Sequence, residues 1–145
     1  MATLSRISSN LKRAIVYWIP SLCIMVFIFV ASNRSHVQAS ETPLYNFIIL
    51  KTLHASGYAL LTLTNAYALN QMGRKNKSWL IAALLALAYS ISDEFHQQFI
   101  PTRSGSTRDI GIDLIGIISV YWLGQAGYVY TLQKNIASHL RARKT

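Results

Sequence analysis

Residues 14–31 read AIVYWIPSLCIMVFIFVA, an apolar run that only Ser21 interrupts. As an α-helix this run would be roughly 27 Å long, close to the ~30 Å thickness of the hydrocarbon core of a bilayer. A cleaved signal peptide is the alternative, but its apolar core usually has about 7–15 residues. We therefore predict a retained first transmembrane helix.

Three further apolar segments follow, separated by short polar connections. They cover residues 44–69, 79–100 and 110–132. The prediction is an all-α membrane protein, a bundle of four transmembrane helices with short loops. This domain spans residues 14–132, between a basic N-terminal segment, 1–13, and a basic C-terminal tail, 133–145. The N-terminal segment is predicted to be either a short interfacial helix or a basic tail.

The composition excludes several other classes of protein. Of the 145 residues, 52% are apolar and 13% are charged, which is about half the charged fraction of a soluble domain. The single cysteine, Cys23, excludes an internal disulfide and a cysteine-rich metal site. The net charge of +9 would suit nucleic acid, but no nucleic-acid motif accompanies it. The predicted partner is the lipid bilayer, and the oligomeric state is left open.

The distribution of lysine and arginine predicts the orientation in the membrane. Three lie in residues 1–13, three in residues 70–78 and four after residue 132, whereas the connection at 32–43 has only Arg34. Positive charges accumulate in cytoplasmic loops. Both termini and the middle connection are therefore predicted to be cytoplasmic, and the other two connections to face outward.

Ionisable residues interrupt spans two to four near their outward ends. By the helical rise, Lys51 and His54 lie about 10 and 15 Å below the outer end of span two. Asp93 lies about 10 Å down span three, and Asp113 about 6 Å down span four. A charge at membrane depth costs at least ~2.5 kcal/mol and marks a functional site by default. We predict that these groups converge on one outward-facing pocket.

The candidate residues fall into two sets. Proposed for catalysis are Glu94, His96, Asp93, Lys51 and His54, and proposed for ligand binding are Gln97, Arg103, Arg108, Asp109, Asp113 and Tyr58. Glu94 or His96 would act as the base, and Lys51 with Arg103 would hold an anionic group. Asp93 would orient His54 or Lys51. Arg103 and Arg108 either satisfy the outward carboxylates or face an anionic ligand.

Two alternative interpretations of the ionisable residues are kept open. A buried ion-pair network could merely lock the bundle, because paired intramembrane charges can be purely structural. Asp93, Glu94 and His96 could bind a divalent metal, but adjacent helical residues point about 100° apart. Metal binding at His54 is disfavoured because Lys51 lies one turn away. No metal and no cofactor are predicted.

The polar stretch that ends span three also resembles a known family. Residues 88–116, AYSISDEFHQQFIPTRSGSTRDIGIDLIG, match the Asp-Glu-x-His-Gln, Pro-x-Arg and Asp-x-x-x-(Asn)-x-x-Gly pattern of the VanZ-like family. Lys51-x-x-His54 is similar to the family's Lys-x-x-His segment, and Ser32 resembles a polar residue there. Thr102 and Asp113 depart from the Gly and Asn that are common at their positions.

The resemblance implies a small multi-pass protein of the bacterial cytoplasmic (inner) membrane. The family's founding member is associated with resistance to teicoplanin, a glycopeptide that targets the cell wall. The expected function is to act on or bind an envelope ligand: a lipid, a wall precursor or a glycopeptide, and Ser32 joins the ligand-binding set. The alternative is a non-catalytic binding or structural module. A small transporter or proton relay ranks third, because the inner half of span three is bare Leu, Ala and Ile. Whether the protein is an enzyme is left open.

Overall fold

The computed structural model describes residues 2–33, 41–73, 77–100 and 106–127, with side chains from residue 11 onward. These residues form four α-helices and no strand. The helices are α1 (Ala2–Ser32), α2 (Pro43–Gln71), α3 (Ser78–Gln97) and α4 (Thr107–Gln125). The predicted all-α architecture is confirmed. The tail at 133–145 and the last part of the predicted fourth span lie outside the described residues.

Local sequence explains where the helices begin and end. Pro43 starts α2, where its missing N–H is not needed. Ser106 caps α4 by accepting a hydrogen bond from the backbone N–H of Arg108 at 3.2 Å. Gly73 and Gly127 follow the ends of α2 and α4 with φ of 83° and 75°, a conformation that favours glycine. Residues 2–13 continue the helix of the first apolar segment.

The second helix is the centre of the bundle. It packs against α1, α3 and α4, while α3 also packs against α4 and touches α1 only slightly. The backbone of α4 comes close to α2 at Gly116, where a Cβ atom would collide with the carbonyl of Ala55. At Gly124 a Cβ atom would meet the indole ring of Trp79. Gly127 lies beyond the end of α4 and makes no such contact with any described residue.

Apolar side chains cover the outside of the bundle, and polar ones fill part of its inside. Phe27, Leu44 and Trp122 are 68%, 64% and 66% exposed. In contrast, Asp93 and Asp113 are 4% and 1% exposed, and four serines are also buried. A soluble protein rarely leaves so much apolar surface uncovered, whereas lipid covers it without cost.

Three of the described helical segments are long and apolar enough to cross a membrane. They are Leu11–Ser32, Pro43–Gln71 and Ser78–Gln97, with mean hydropathies of 2.4, 1.3 and 1.3. The fourth helix is not among them, and it carries Arg108, Asp109 and Asp113 in its first two turns. The chain is therefore a membrane protein, with length and composition supporting a crossing for three of its four helices.

Candidate functional site

The polar residues meet at one end of the bundle, where α1 and α3 end and α2 and α4 begin. Ser32 is the last residue of α1, and Asp93 lies one turn before the end of α3. Lys51 and Asp109 lie near the starts of α2 and α4. We call the buried and half-buried polar residues at this end the polar core; its members are Ser32, Lys51, His54, Tyr58, Ser90, Asp93, Glu94, Gln97, Asp109 and Asp113.

Asp93 connects three helices through one carboxylate oxygen. Its Oδ2 accepts hydrogen bonds from Ser32 Oγ at 2.7 Å, Gln97 Nε2 at 2.9 Å and Tyr58 Oη at 3.3 Å. Ser32 and Tyr58 are almost completely buried, at 1% and 0% exposed. These contacts connect α1, α2 and α3 at this level.

Lys51 and His54 pair with carboxylates of α4. The Nζ atom of Lys51 lies 2.6 Å from Asp109 Oδ1, and His54 Nδ1 lies 3.6 Å from Asp113 Oδ1. The two pairs form side by side because α2 and α4 run in the same direction. On each helix the two paired residues lie about one turn apart. Ser90 Oγ donates to Asp113 Oδ2 at 2.7 Å.

These pairs correct one predicted role. Asp93 was expected to orient His54 or Lys51, but its hydrogen bonds go to Ser32, Tyr58 and Gln97. The physical reason is that α2 and α4 begin at the same end of the bundle and pack together, which brings Asp109 and Asp113 within pairing distance of Lys51 and His54. Asp113 and Asp109 therefore take the role expected of Asp93.

Three carboxylate oxygens in the polar core have no hydrogen-bond partner among the described residues. They are Asp93 Oδ1, Glu94 Oε1 and Asp113 Oδ1, and all three are buried. The other oxygen of Glu94, Oε2, accepts from the backbone N–H of Ser106 at 2.9 Å. That bond ties α3 to the residue that caps α4. Unsatisfied buried oxygens are expensive in a low-dielectric interior, so their clustering calls for an explanation.

His96 turns away from the other candidate residues and towards α1. Its Nε2 atom lies 3.1 Å from Asn33 Oδ1, and its ring stacks on Phe29 with centroids 5.1 Å apart. Arg108 is exposed and lies over the ring of Phe47, 5.1 Å from the centroid. Arg103 lies outside the described residues. The structure thus brings nine of the twelve predicted site residues into the polar core: Ser32, Lys51, His54, Tyr58, Asp93, Glu94, Gln97, Asp109 and Asp113.

Three of these residues form a compact mixed group of nitrogen and oxygen donors. One ligand atom from each of His54, Glu94 and Asp113 can be chosen so that all three lie within 4.8 Å of one another. Glu94 and Asp113 are buried, and His54 is half-buried. The metal-binding alternative from the sequence was Asp93, Glu94 and His96. In the structure, Glu94 lies instead with His54 of α2 and Asp113 of α4.

Beyond Lys51, His54 and Tyr58, polar residues continue along α2 with Thr62 and Asn65, but the described side chains do not form a continuous chain of hydrogen bonds. Below Tyr58, the Oγ1 atom of Thr62 donates to the backbone carbonyl of Tyr58 at 2.8 Å. Asn65 is buried further along the helix. A proton relay would need polar side chains that hand protons to one another, so this geometry gives the third-ranked function little support.

Sequence reasoning did not single out four residues that shape this end of the bundle. Ser90, Asn33, Phe47 and Ser106 each contact one of the predicted residues. For Ser106 a signal existed, because a serine directly before a helical segment is a preferred N-cap. For Asn33 and Phe47 no pattern could have given their partners, which lie on other helices.

A helical bundle with an apolar exterior and carboxylates buried at one end defines a helical membrane protein with a buried polar cluster. A family model described as VanZ/LLP1 matches residues 17–126. The chain belongs to the VanZ/LLP1 family, and the predicted resemblance is confirmed. No curated protein and no solved structure matches the chain.

Proposed function

We propose that the chain is a four-span protein of the bacterial cytoplasmic membrane that binds an envelope ligand in its polar core. The ligand is a lipid, a wall precursor or a glycopeptide. Both termini lie in the cytoplasm, so the polar core opens toward the outer leaflet. The uneven distribution of lysine and arginine supports this orientation. The chain belongs to the VanZ/LLP1 family. The link to the envelope and to teicoplanin tolerance is carried over from the founding member of the VanZ-like family and is part of the proposal.

The observation that carries the proposal is the set of buried carboxylate oxygens on Asp93, Glu94 and Asp113 that accept no hydrogen bond from any described residue. A network selected only to hold helices together would satisfy its buried acceptors, because each unsatisfied group destabilises the fold. Acceptors left available inside a membrane protein suit a ligand that brings hydrogen-bond donors or positive charge. Donor-rich groups of this kind are present on amino sugars, peptide stems and ethanolamine headgroups.

The edge of the polar core supports access for such a ligand. The side chains of Lys51, His54 and Asp109 keep 24%, 23% and 18% of their surface exposed, whereas Asp113 behind them keeps 1%. A ligand arriving from the bundle end would therefore meet the Lys51–Asp109 pair before it reached Asp113. A ligand could therefore contact partly exposed charged side chains before it reaches the buried acceptors.

One observation favours the structural alternative at a single residue. Asp93 accepts hydrogen bonds from α1, α2 and α3 through one oxygen, as expected of a residue that fastens helices. We therefore assign Asp93 to positioning and assign ligand contact to Glu94, His54 and Asp113.

Mass spectrometry of envelope lipids and wall precursors tests the proposal. Extracts would be compared between cells with the protein, cells without it and cells carrying Glu94→Gln, and the same analysis would be run on molecules that co-purify with each protein. A lipid or precursor bound to the wild type and depleted at least about tenfold in the variant is the expected result. A chemically altered envelope molecule in the wild-type cells alone would identify an enzyme. Identical extracts and identical co-purifying molecules would contradict the proposal.

A further inference from the structure

We infer that His54, Glu94 and Asp113 form a site for a divalent transition-metal cation, with Zn²⁺ as the best-matched ion. One ligand atom from each lies within 4.8 Å of the others, and the three residues come from three different helices. Closing on a single ion would draw these atoms together by up to about 1.5 Å, because ligand atoms near 2 Å from a tetrahedral Zn²⁺ lie about 3.3 Å apart. The inference rests on the proposed function in one respect, because it treats the polar core as a binding site.

The second observation for this site is the buried oxygen of Glu94. Glu94 is 3% exposed, and its Oε1 atom has no hydrogen-bond partner among the described residues. The same holds for Oδ1 of Asp113, which is 1% exposed and lies 3.6 Å from His54 Nδ1, beyond hydrogen-bond length. Both oxygens belong to the residues that can share one ion. A cation would satisfy both acceptors at once.

The charge balance of the polar core also favours a cation. Lys51 is engaged by Asp109, so the ammonium one turn from His54 is neutralised and does not repel a metal. Among the described residues, no lysine or arginine pairs with Asp93, Glu94 or Asp113. Three buried carboxylates with no lysine or arginine partner among the described residues need protons or a positive ion to lie at membrane depth.

The donor types select the class of ion. Imidazole nitrogen together with carboxylate oxygen suits Zn²⁺ and its first-row neighbours, whereas Mg²⁺ and Ca²⁺ prefer oxygen ligands alone. Three protein ligands leave a coordination position open, as in catalytic rather than structural zinc sites. That position would take water, or a hydroxyl or amine of the donor-rich envelope ligand.

The hydrogen bonds around the three residues hold two of them in place. Ser90 donates to Asp113 Oδ2, and the Ser106 backbone N–H donates to Glu94 Oε2. The other oxygen of each carboxylate, Glu94 Oε1 or Asp113 Oδ1, has no hydrogen-bond partner among the described residues. Metal ligands commonly have their non-ligating atoms fixed by such outer contacts.

The test uses the full chain, purified in detergent with a tag free of histidine, stripped with a chelator and then titrated with ZnCl2. Elemental analysis should find about one Zn²⁺ per chain. Free Zn²⁺ at about a hundred times its Kd should raise the Tm by roughly 5–10 °C. MgCl2 and CaCl2 at the same concentrations should leave the Tm unchanged. Stripped wild type that neither retains Zn²⁺ nor shifts its Tm would overturn the inference, and so would an equal response to Mg²⁺.

Matched variants locate the ion. His54→Gln and Glu94→Gln should each weaken Zn²⁺ binding by at least about tenfold. The controls are His96→Gln, an imidazole that faces α1, and Glu41→Gln, an exposed carboxylate outside the polar core. Both controls should bind Zn²⁺ within about threefold of the wild type. Loss of binding in His96→Gln with retention in His54→Gln would place the ion elsewhere and overturn the inference.

The result of the cation-site test can be distinguished from the result of the test of the proposed function. Zn²⁺ binding at His54 and Glu94 without any co-purifying envelope molecule would refute the proposed function and leave the cation site standing. An envelope molecule that co-purifies with the chelator-stripped protein, with no Zn²⁺ binding, would refute the cation site alone.

Discussion

At the scale of single residues, the two buried aspartates of the polar core, Asp93 and Asp113, have different hydrogen-bond and ion-pair partners. Asp93 is surrounded by donors from α1, α2 and its own helix, whereas Asp113 faces His54 and Ser90. Since both residues sit at the same end of the bundle, their different partners follow from the neighbours that each helix presents. Whether Asp93 holds the helices together can be tested by measuring how its substitution changes the stability of the protein.

Replacing Asp93 by alanine should destabilise the protein more than replacing it by asparagine. Asp93→Ala leaves the hydroxyl groups of Ser32 and Tyr58 without their acceptor, at a cost of about 2–4 kcal/mol. Asp93→Asn keeps an acceptor oxygen and should cost about 1 kcal/mol. Thermal melting in detergent measures both. Ser92→Ala is the control, because Ser92 is exposed and its hydroxyl only donates to the Tyr89 carbonyl of its own helix. Equal melting of all three variants would contradict the fastening role.

The sequence predicted which residues are polar at membrane depth, but it did not predict their partners. Hydropathy and the helical rise placed Lys51, His54, Asp93 and Asp113 near one level, because depth depends only on counting along each helix. Partners depend on which helices are neighbours and on how each is rotated, and neither follows from a single helix. For that reason the pairing of Lys51 with Asp109, and the turn of His96 toward Asn33, emerge only from the packed structure.

At the scale of helices, glycines set how closely α4 approaches its neighbours. Gly116 lies against the backbone of Ala55, and Gly124 lies against the ring of Trp79. Small residues let helix backbones approach closely in membranes, where van der Waals packing largely drives helix association. The apolar segments were predictable from hydropathy to within a few residues. The end of α4 at Gln125 was not, because Gly127 interrupts the helix within a segment that is still apolar.

Two glycine-to-alanine changes on the same helix should have opposite effects. Gly116→Ala places a methyl group against the Ala55 carbonyl and should force α4 away from α2, at about 1–3 kcal/mol. Gly111→Ala has open space around it and should be neutral or stabilising by up to about 1 kcal/mol. Melting temperatures of the two variants provide the comparison. A Gly116→Ala protein as stable as Gly111→Ala would refute the close approach.

At the scale of the whole molecule, the distribution of side chains is inverted relative to a soluble protein. Apolar groups such as Phe27 and Trp122 face outward, while carboxylates and hydroxyls are buried. The composition anticipated the membrane environment because 13% charged residues cannot solvate a domain of this size. The orientation in the bilayer follows from charge counting alone and is therefore open to a direct experiment.

Single cysteines introduced at exposed positions should report the orientation. In a background carrying Cys23→Ser, Glu41→Cys should react with a membrane-impermeant maleimide added to intact cells, because Glu41 lies in the predicted outer connection. Lys77→Cys, in the predicted cytoplasmic connection, should react only after the membrane is permeabilised. Both residues are exposed, so accessibility within the protein is matched. Labelling of Lys77→Cys in intact cells would reverse the orientation.

The central claim is that the polar core is a functional site rather than a structural network alone, and Glu94→Gln tests it most directly. Glutamine keeps the size and the acceptor for the Ser106 N–H, but it removes the charge. The measurements are the teicoplanin tolerance of cells and the Tm of the purified, chelator-stripped protein, for wild type, Glu94→Gln and the exposed control Glu41→Gln. The account predicts that Glu94→Gln falls to the tolerance of cells without the protein while its Tm stays within about 2 °C of the wild type. A variant with a normal Tm and full tolerance, or one whose Tm and tolerance fall together, would contradict it.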